Sequence, residues 1–170
     1  IHANEYVDVI VPRGGAGLIQ FVVKNATVPV IETGAGICHL YVDKDADLNK
    51  ALTIAVNAKI QRPSVCNAIE TILVHKDVAD KFLPELKKAF EKVEIKGDDA
   101  TCQIINCEHV TDDSYATEYD DYIVNIRVVD SVEEAINHIY TYSTKHSESI
   151  ITENDETAVL FMNSLDSACV

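Results

Sequence analysis

The sequence predicts an α/β fold in which a mostly parallel sheet is flanked by helices. Short runs of β-branched residues alternate with longer stretches of helical periodicity, the order expected when a crossover helix follows each strand. A length of 170 residues allows one domain with a proper core, or one domain plus a piece of another. Apolar residues make up 47% of the chain and charged residues 25%, so most of it is expected to fold.

Six short runs are predicted to be strands because they are rich in β-branched residues and bounded by helical or turn-forming segments. The first two precede the ETGAG sequence at 32–36, and the other four follow it. In chain order the predicted strands are 7–11, 28–32, 39–42, 71–75, 122–129 and 149–152.

Helices are predicted where apolar residues recur every three or four positions. The first covers 45–59, and Asp43 or Asp45 can serve as its N-cap. Another begins at Ser131, whose spacing to Glu134 is that of a capping box.

Two segments depart from simple periodicity. Pro84 interrupts the helical pattern of 77–93, which predicts a kink or a helix that restarts with the proline in its first turn. Residues 108–121 carry six acidic side chains and no lysine or arginine, and they show no sustained period. A loop or irregular excursion is expected there.

The charge balance restricts the class of partner. The chain has 14 basic and 28 acidic residues, a formal net charge of -14, which repels nucleic acid and anionic lipid surfaces. No apolar run is long enough to span a bilayer, and the amino terminus lacks signal-peptide character, so a cytoplasmic protein is expected. The odd number of cysteines, five, favours reduced thiols over a disulfide framework.

Two motifs have both a structural and a functional interpretation. The glycine-rich sequence RGGAG at 13–17 is either a tight turn or a phosphate contact at a helix start. Its glycine spacing fits neither the dinucleotide-binding pattern G-x-G-x-x-G nor the P-loop. Cys102, Cys107 and His109 form a cluster of metal-ligand types that lacks a fourth ligand, so packing thiols are the better interpretation and no metal is predicted.

Two further positions suggest chemistry. Glu32 ends a predicted strand beside flexible glycines, either as a carboxylate held at the carboxyl edge of a sheet or as a solvated turn residue. Cys66 lies among turn-forming and polar residues between a helix and a strand. It is either an accessible nucleophile or a small buried side chain.

The order of these motifs resembles the aldehyde dehydrogenase superfamily. Residues 32–36, a strand, and DAD at 45–47 resemble the pattern E-L-G-G-K, strand, D-A-D. Residues 57–66, followed by a strand ending VH at 74–75, resemble N-x-G-Q-x-C and its downstream strand. The resemblance implies an aldehyde-dehydrogenase-like catalytic domain.

Departures from the superfamily pattern point to one branch of it. The sequence QRPSVCNAIE at 61–70, VPRGGAG at 11–17 and TEY at 117–119 resemble the gamma-glutamyl phosphate reductase family. That resemblance implies NADPH-dependent reduction of L-glutamyl 5-phosphate to L-glutamate 5-semialdehyde in proline biosynthesis, by an enzyme that is a homo-oligomer when full-length. Residues 1–33 would be terminal strands of the cofactor domain, and 34–170 a catalytic domain incomplete at its C-terminus, inactive alone.

The same resemblance assigns roles to particular residues. It makes Cys66 the covalent nucleophile and Glu32 a second catalytic residue, whose superfamily role as hydrolytic base does not suit a phosphate-releasing reaction. Glu118 aligns with a glutamate that touches the nicotinamide ribose, and Asn67 and His146 are assigned to substrate. A surface position for His146 remains an alternative.

Two competing functions remain. Another acylating semialdehyde dehydrogenase would share the cysteine chemistry but use a different substrate. A non-catalytic α/β interaction module would share only the fold, since fold alone does not establish function.

Overall fold

The structure is a computed structural model that describes residues 1–32 and 34–170. It divides into two compact units, Ile1–Ala35 and Gly36–Val170. The assignment of 1–33 to a cofactor domain and 34–170 to a catalytic domain stays a prediction.

Among the described residues of the first unit, there is one helix and little strand. Helix α1, Ala16–Asn25, has Gly15 as its N-cap, so it begins within the glycine-rich sequence at 13–17. The predicted strands 7–11 and 28–32 are reduced to a single parallel bridge between Ile10 and Val30, which corrects their extent. Neighbouring Pro29 lacks the backbone N–H that a continuing ladder requires.

The second unit is built on a six-stranded sheet in the order β4-β3-β5-β2-β1-β6. Every pairing of these strands is parallel. The predicted α/β class with a mostly parallel sheet is therefore confirmed. The strands are β1 Cys38–Val42, β2 Ile69–His75, β3 Glu94–Gly97, β4 Glu108–His109, β5 Ile123–Val129 and β6 Glu148–Ile151.

Helices connect these strands and cover both faces of the sheet. They are α2 Leu48–Ile60, α3 Lys76–Ala89, α4 Asp99–Ile105, α5 Asp112–Tyr115, α6 Val132–Tyr142 and α7 Asp155–Ser164. The sequence pattern did not reveal β3, α4 or α7. The irregular segment expected at 108–121 instead contains β4 and α5, because Thr111 forms a capping box that starts a short helix.

Two helix boundaries differ from expectation. The N-cap of α2 is Asp47, whose carboxylate accepts the backbone N–H groups of Asn49 and Lys50. Asp43 is buried and accepts the Tyr41 hydroxyl instead. Helix α3 runs through Pro84 as one element, so of the two predicted alternatives the restart was wrong and the kink stays a prediction.

Alternate residues of the buried strands supply a core on each face of the sheet. Leu40 and Val42 belong to the cluster that also contains Phe82 and Leu86 of α3. Tyr41, between them in sequence, belongs to the opposite cluster with α6 and α7. Since a parallel sheet is covered on both faces, the β1 and β2 side chains are buried without exception. No helix in 1–32 or 34–170 is both long and apolar enough to cross a membrane.

Candidate active site

Cys66 lies at the amino-terminal edge of the sheet, in the turns that join α2 to β2. Its thiol is free and the residue is exposed. Because the strands are parallel, the segments that enter β1, β5 and β6 reach the same edge. These segments contain Gly36, Glu118 and His146.

The Cys66 loop packs directly against Gly36. A Cβ atom at position 36 would come within 1.9 Å of the Cys66 carbonyl oxygen and 2.6 Å of its carbonyl carbon. Only glycine permits this approach, since backbone atoms cannot move aside as a flexible side chain can. Gly36, the last residue of the ETGAG motif, is therefore required sterically, because it leaves room for the loop that carries the Cys66 thiol.

Two hydrogen bonds hold the same loop in place. The Cys38 thiol donates to the Cys66 carbonyl oxygen at 3.2 Å. The Ala68 N–H donates to the Val65 carbonyl at 2.8 Å and closes a turn around Cys66. The backbone at Cys66 is therefore fixed while its side chain remains accessible.

The backbone entering β1 is held by side chains from two distant segments. The Gly36 N–H donates to Glu118 Oε1 at 2.6 Å, and the Ile37 N–H donates to Thr144 Oγ1 at 3.0 Å. Glu118, which is predicted to contact the cofactor, is half-buried, and its Oε1 accepts the Gly36 N–H.

His146 is half-buried beside Cys38. Its Nδ1 lies 3.7 Å from Cys38 Sγ and 2.7 Å from the Ser147 hydroxyl. Burial raises the pKa of the Cys38 thiol to about 12, and the charge of Glu148 adds to the rise. Cys38 therefore stays protonated near neutral pH and acts as a hydrogen-bond donor to the loop rather than as a nucleophile.

A buried carboxylate ties β6 to β1 beneath these residues. Glu148 accepts the backbone N–H of His39 at 3.1 Å and contacts the His39 Nδ1 at 3.0 Å. The hydroxyls of Ser143 and Ser167 also donate to it. Multiple partners are the condition under which a buried carboxylate is tolerated.

The pair Lys59 and Glu70 is buried where the Cys66 loop enters β2. Lys59 of α2 donates to Glu70 at 2.9 Å, and both side chains are almost fully buried. Burial raises the pKa of Glu70 to about 7, while the charge of Lys59 opposes the rise. The pair joins the helix before the loop to the strand after it.

The remaining predicted site residues occupy different places. Asn67 is exposed next to Cys66. Glu32 is exposed in the unit Ile1–Ala35, and Thr33 of the same motif lies outside the described residues. The roles predicted for Glu32, Asn67, Glu118 and His146 stay predictions.

The Cys102, Cys107 and His109 cluster does not assemble as a set of metal ligands. The His109 Nδ1 lies 3.2 Å from Asp99, and the two sulfurs face each other. Within the described part of the chain, no three histidine, cysteine, aspartate or glutamate side chains are grouped to hold a metal ion.

Sequence reasoning missed Cys38 and Thr144 as supports of the loop. Cys38 begins an apolar strand, where nothing distinguishes it from a packing residue. Thr144 belongs to the polar sequence TKHS ahead of β6, which offered a weak signal. Its partner Ile37 is 107 residues away, and that pairing requires the folded sheet.

Comparisons with known proteins agree with the family resemblance of the sequence motifs. The sequence profile described as the aldehyde dehydrogenase family matches residues 3–112. A gamma-glutamyl phosphate reductase of Petrotoga mobilis is 57% identical over 168 residues, which are 98% of this chain and 40% of that protein. The chain thus spans about two fifths of such relatives.

Solved structures show the same similarity. The gamma-glutamyl phosphate reductase of Thermotoga maritima matches with a TM-score of 0.95 and 49% identity, over 99% of this chain and 42% of that one. The enzyme of the same name from Saccharomyces cerevisiae matches with a TM-score of 0.62 and 32% identity, over 99% and 43%. The resemblance inferred from the motif order is confirmed.

Proposed function

Since the chain belongs to the aldehyde dehydrogenase family, we propose that it forms part of a cytoplasmic gamma-glutamyl phosphate reductase of proline biosynthesis. The reaction is the NADPH-dependent reduction of L-glutamyl 5-phosphate to L-glutamate 5-semialdehyde, with release of phosphate. The observation that carries the proposal is the exposed, free Cys66 in a loop fixed by Gly36 and Cys38. The substrate is supported by relatives that are more than half identical to this chain and are named gamma-glutamyl phosphate reductase.

Cys66 carries the covalent step. Its thiolate attacks the acyl carbon of glutamyl phosphate, the bond from carbon to the phosphate oxygen breaks, and phosphate leaves with the electron pair. A thioester on Cys66 results. Cysteine suits this step because its thiolate is both a strong nucleophile and a competent leaving group.

NADPH, when bound, supplies the hydride that reduces the thioester. The Glu118 carboxylate suits a ribose hydroxyl, because a carboxylate with one N–H partner on Oε1 keeps acceptor capacity on its other oxygen. We assign Glu118 to this contact, which positions a ribose near the same loop that holds Cys66.

The loop itself stabilises the developing oxyanion. The backbone N–H of Cys66 is the donor assigned to this role, and it is set by the turn that Val65 and Ala68 close. We assign the exposed Asn67 amide and the half-buried His146 imidazole to the glutamyl group, whose amino and carboxyl groups require hydrogen-bonding partners. Glu32 is assigned to orientation or proton transfer, since water is not the second substrate.

We place residues 1–33 with the cofactor domain and 34–170 with the catalytic domain of a larger homo-oligomer. The chain alone is then expected to be inactive, because hydride transfer needs the nicotinamide held against the thioester. Mixing the chain with NADPH and following nicotinamide fluorescence tests this. Saturable binding with turnover by the 170-residue chain would contradict the domain assignment.

The main experiment compares Cys66→Ser with Cys102→Ser in the full-length protein. We expect Cys66→Ser to lower kcat/KM by at least ~1,000-fold with unchanged thermal unfolding, because a serine ester is not reduced in this way. Cys102→Ser should stay near the parent. Substantial reduction of glutamyl phosphate by Cys66→Ser would refute the mechanism.

Substrate choice is tested on the same preparations. Glutamyl phosphate formed in situ is compared with simple acyl thioesters, and we expect activity with the acyl phosphate only. Preference for acyl thioesters would favour a different acylating semialdehyde dehydrogenase. Activity with neither, together with Cys66 no more reactive than Cys169, would favour a non-catalytic interaction module.

A further inference from the structure

A second pair of cysteines lies away from the proposed active site. Cys102 belongs to α4, and Cys107 directly precedes β4, the edge strand of the sheet. Their sulfur atoms are 2.9 Å apart, and both residues are half-buried. This separation is shorter than ordinary non-bonded contacts of roughly 3.5 Å and longer than a disulfide of about 2.05 Å.

From this geometry we propose that Cys102 and Cys107 are a redox modification site, which forms a reversible intramolecular disulfide by exchange with low-molecular-weight disulfides. Neither residue has a role in the reductase reaction derived above. The proposal therefore stands whether or not that function is correct.

The surrounding structure holds the two sulfurs together. The Gly97 carbonyl lies 3.4 Å from Cys102 Sγ, and a Cβ at Gly97 would come within 2.7 Å of Cys107 Sγ. The connection between the cysteines turns at Asn106, which has a φ of 44°. Lys87 of α3 fixes this turn by donating to the carbonyls of Ile105 and Asn106. A pair held in this way has a high effective concentration for ring closure.

The exchange proceeds in two balanced steps. The Cys102 thiolate attacks one sulfur of the small disulfide, forms a mixed disulfide and releases a small thiolate, which takes up the proton that Cys102 lost. Cys107 then loses its proton and attacks the Cys102 sulfur, which releases the second small thiol. Two electrons pass from the protein sulfurs to the small disulfide, and two small thiols form.

The test equilibrates the 170-residue chain with buffers of oxidised and reduced glutathione, then alkylates the remaining thiols and analyses the peptides by mass spectrometry. We expect Cys102 and Cys107 to lose alkylation together and to appear in a linked form without bound glutathione. The equilibrium constant should be at least ~10-fold larger in the native chain than in concentrated urea, equivalent to about 30 mV. Exposed Cys169 is the internal control and should carry glutathione only.

Variants separate the two cysteines. Cys107→Ser should leave a persistent glutathione adduct on Cys102, because the resolving thiol is missing. Cys102→Ser should likewise prevent formation of the linked form, because the disulfide needs both sulfurs. The comparison of native with urea-unfolded parent chain does not depend on either variant folding. The proposal fails if the pair closes as readily in urea, or if Cys102 holds a stable glutathione adduct in the native parent.

Discussion

The two ends of the six-stranded sheet use their polar residues in different ways. At the carboxyl ends, each strand runs into a helix whose N-cap side chain accepts a backbone N–H of the first turn. These caps are Asp47, His75, Asp98, Thr111, Ser131 and Asn154. At the amino ends, polar groups join segments that are far apart in sequence.

The cap bonds are local in sequence, whereas the bonds that hold the segment entering β1 are not, although the carboxyl ends also contain a long-range bond from Thr152 to Asp43. Gly36 and Glu118 are 82 residues apart, and Ile37 and Thr144 are 107 apart. The cap bond that the Thr101 N–H donates to Asp98 spans only three residues. Polar groups used in caps contribute to stability and are already satisfied. The amino edge, where distant loops meet around an exposed thiol, is the end suited to chemistry.

The strongest test of this comparison is Gly36→Ala. The added methyl overlaps the Cys66 backbone, so the loop must shift, and a displacement of ~1 Å costs roughly 100-fold in rate. We expect kcat/KM of the full-length enzyme and alkylation of Cys66 to fall together.

Gly34→Ala is the matched control. A Cβ there meets no atom within 4 Å, so activity should remain near the parent. Circular dichroism establishes that both variants fold. If Gly36→Ala keeps more than about half of the parental activity, the glycine does not position the nucleophile.

At the opposite end of the sheet, Asp98→Ala should lower stability without changing chemistry. Its carboxylate accepts the Thr101 N–H at 2.9 Å and the Val128 N–H at 3.2 Å, so α4 loses its cap and β5 a partner. We expect urea unfolding to show a loss of about 1–3 kcal/mol. Asp99→Ala, exposed on the same helix, should change stability by less than ~0.5 kcal/mol. Equal losses in the two variants would contradict the cap assignment.

Acid should destabilise the face covered by α6. Burial lowers the pKa of His138 to about 3, and the charges of His39 and Arg127 add to the effect. The unfolded chain binds the proton near pH 6.5, so the contribution is present above that pH and is lost as pH falls toward 3.

In the His138→Gln variant, the loss of stability between pH ~6.5 and ~4 should be smaller by about 3 kcal/mol, measured by urea unfolding. His109→Gln, in which an exposed imidazole is changed, should follow the parent. Identical acid dependence in His138→Gln and the parent would show that His138 is not the group responsible.

The smallest effect is expected from Cys38→Ala. Loss of one weak thiol donor to the Cys66 carbonyl should change the alkylation rate of Cys66 by about threefold. Cys38→Ser restores a donor, so the alkylation rate of Cys66 should return toward the parent rate.

In the parent, iodoacetamide should label Cys66 faster than Cys169, which is also exposed. Equal labelling of those two cysteines would mean that the loop does not activate its thiol.

The sequence by itself determined the class of fold and the identity of the nucleophile candidate. Alternating β-branched runs and helical stripes specify buried parallel strands and crossover helices, because both patterns are local. The QRPSVCN sequence marked Cys66 as a turn residue, and the structure leaves it exposed. Short β3, β4 and α5 escaped detection because elements of two to four residues carry too little periodicity.

Only the tertiary structure decided which edge of the sheet holds the candidate site and what supports it. Strand order and direction bring the segments before β1, β2, β5 and β6 to one edge, and sequence spacing does not encode that order. The same holds for the contact of Gly36 with Cys66 and for the bond from Gly36 to Glu118. Such contacts form only after the sheet assembles, because their energies depend on atoms that the chain places far apart.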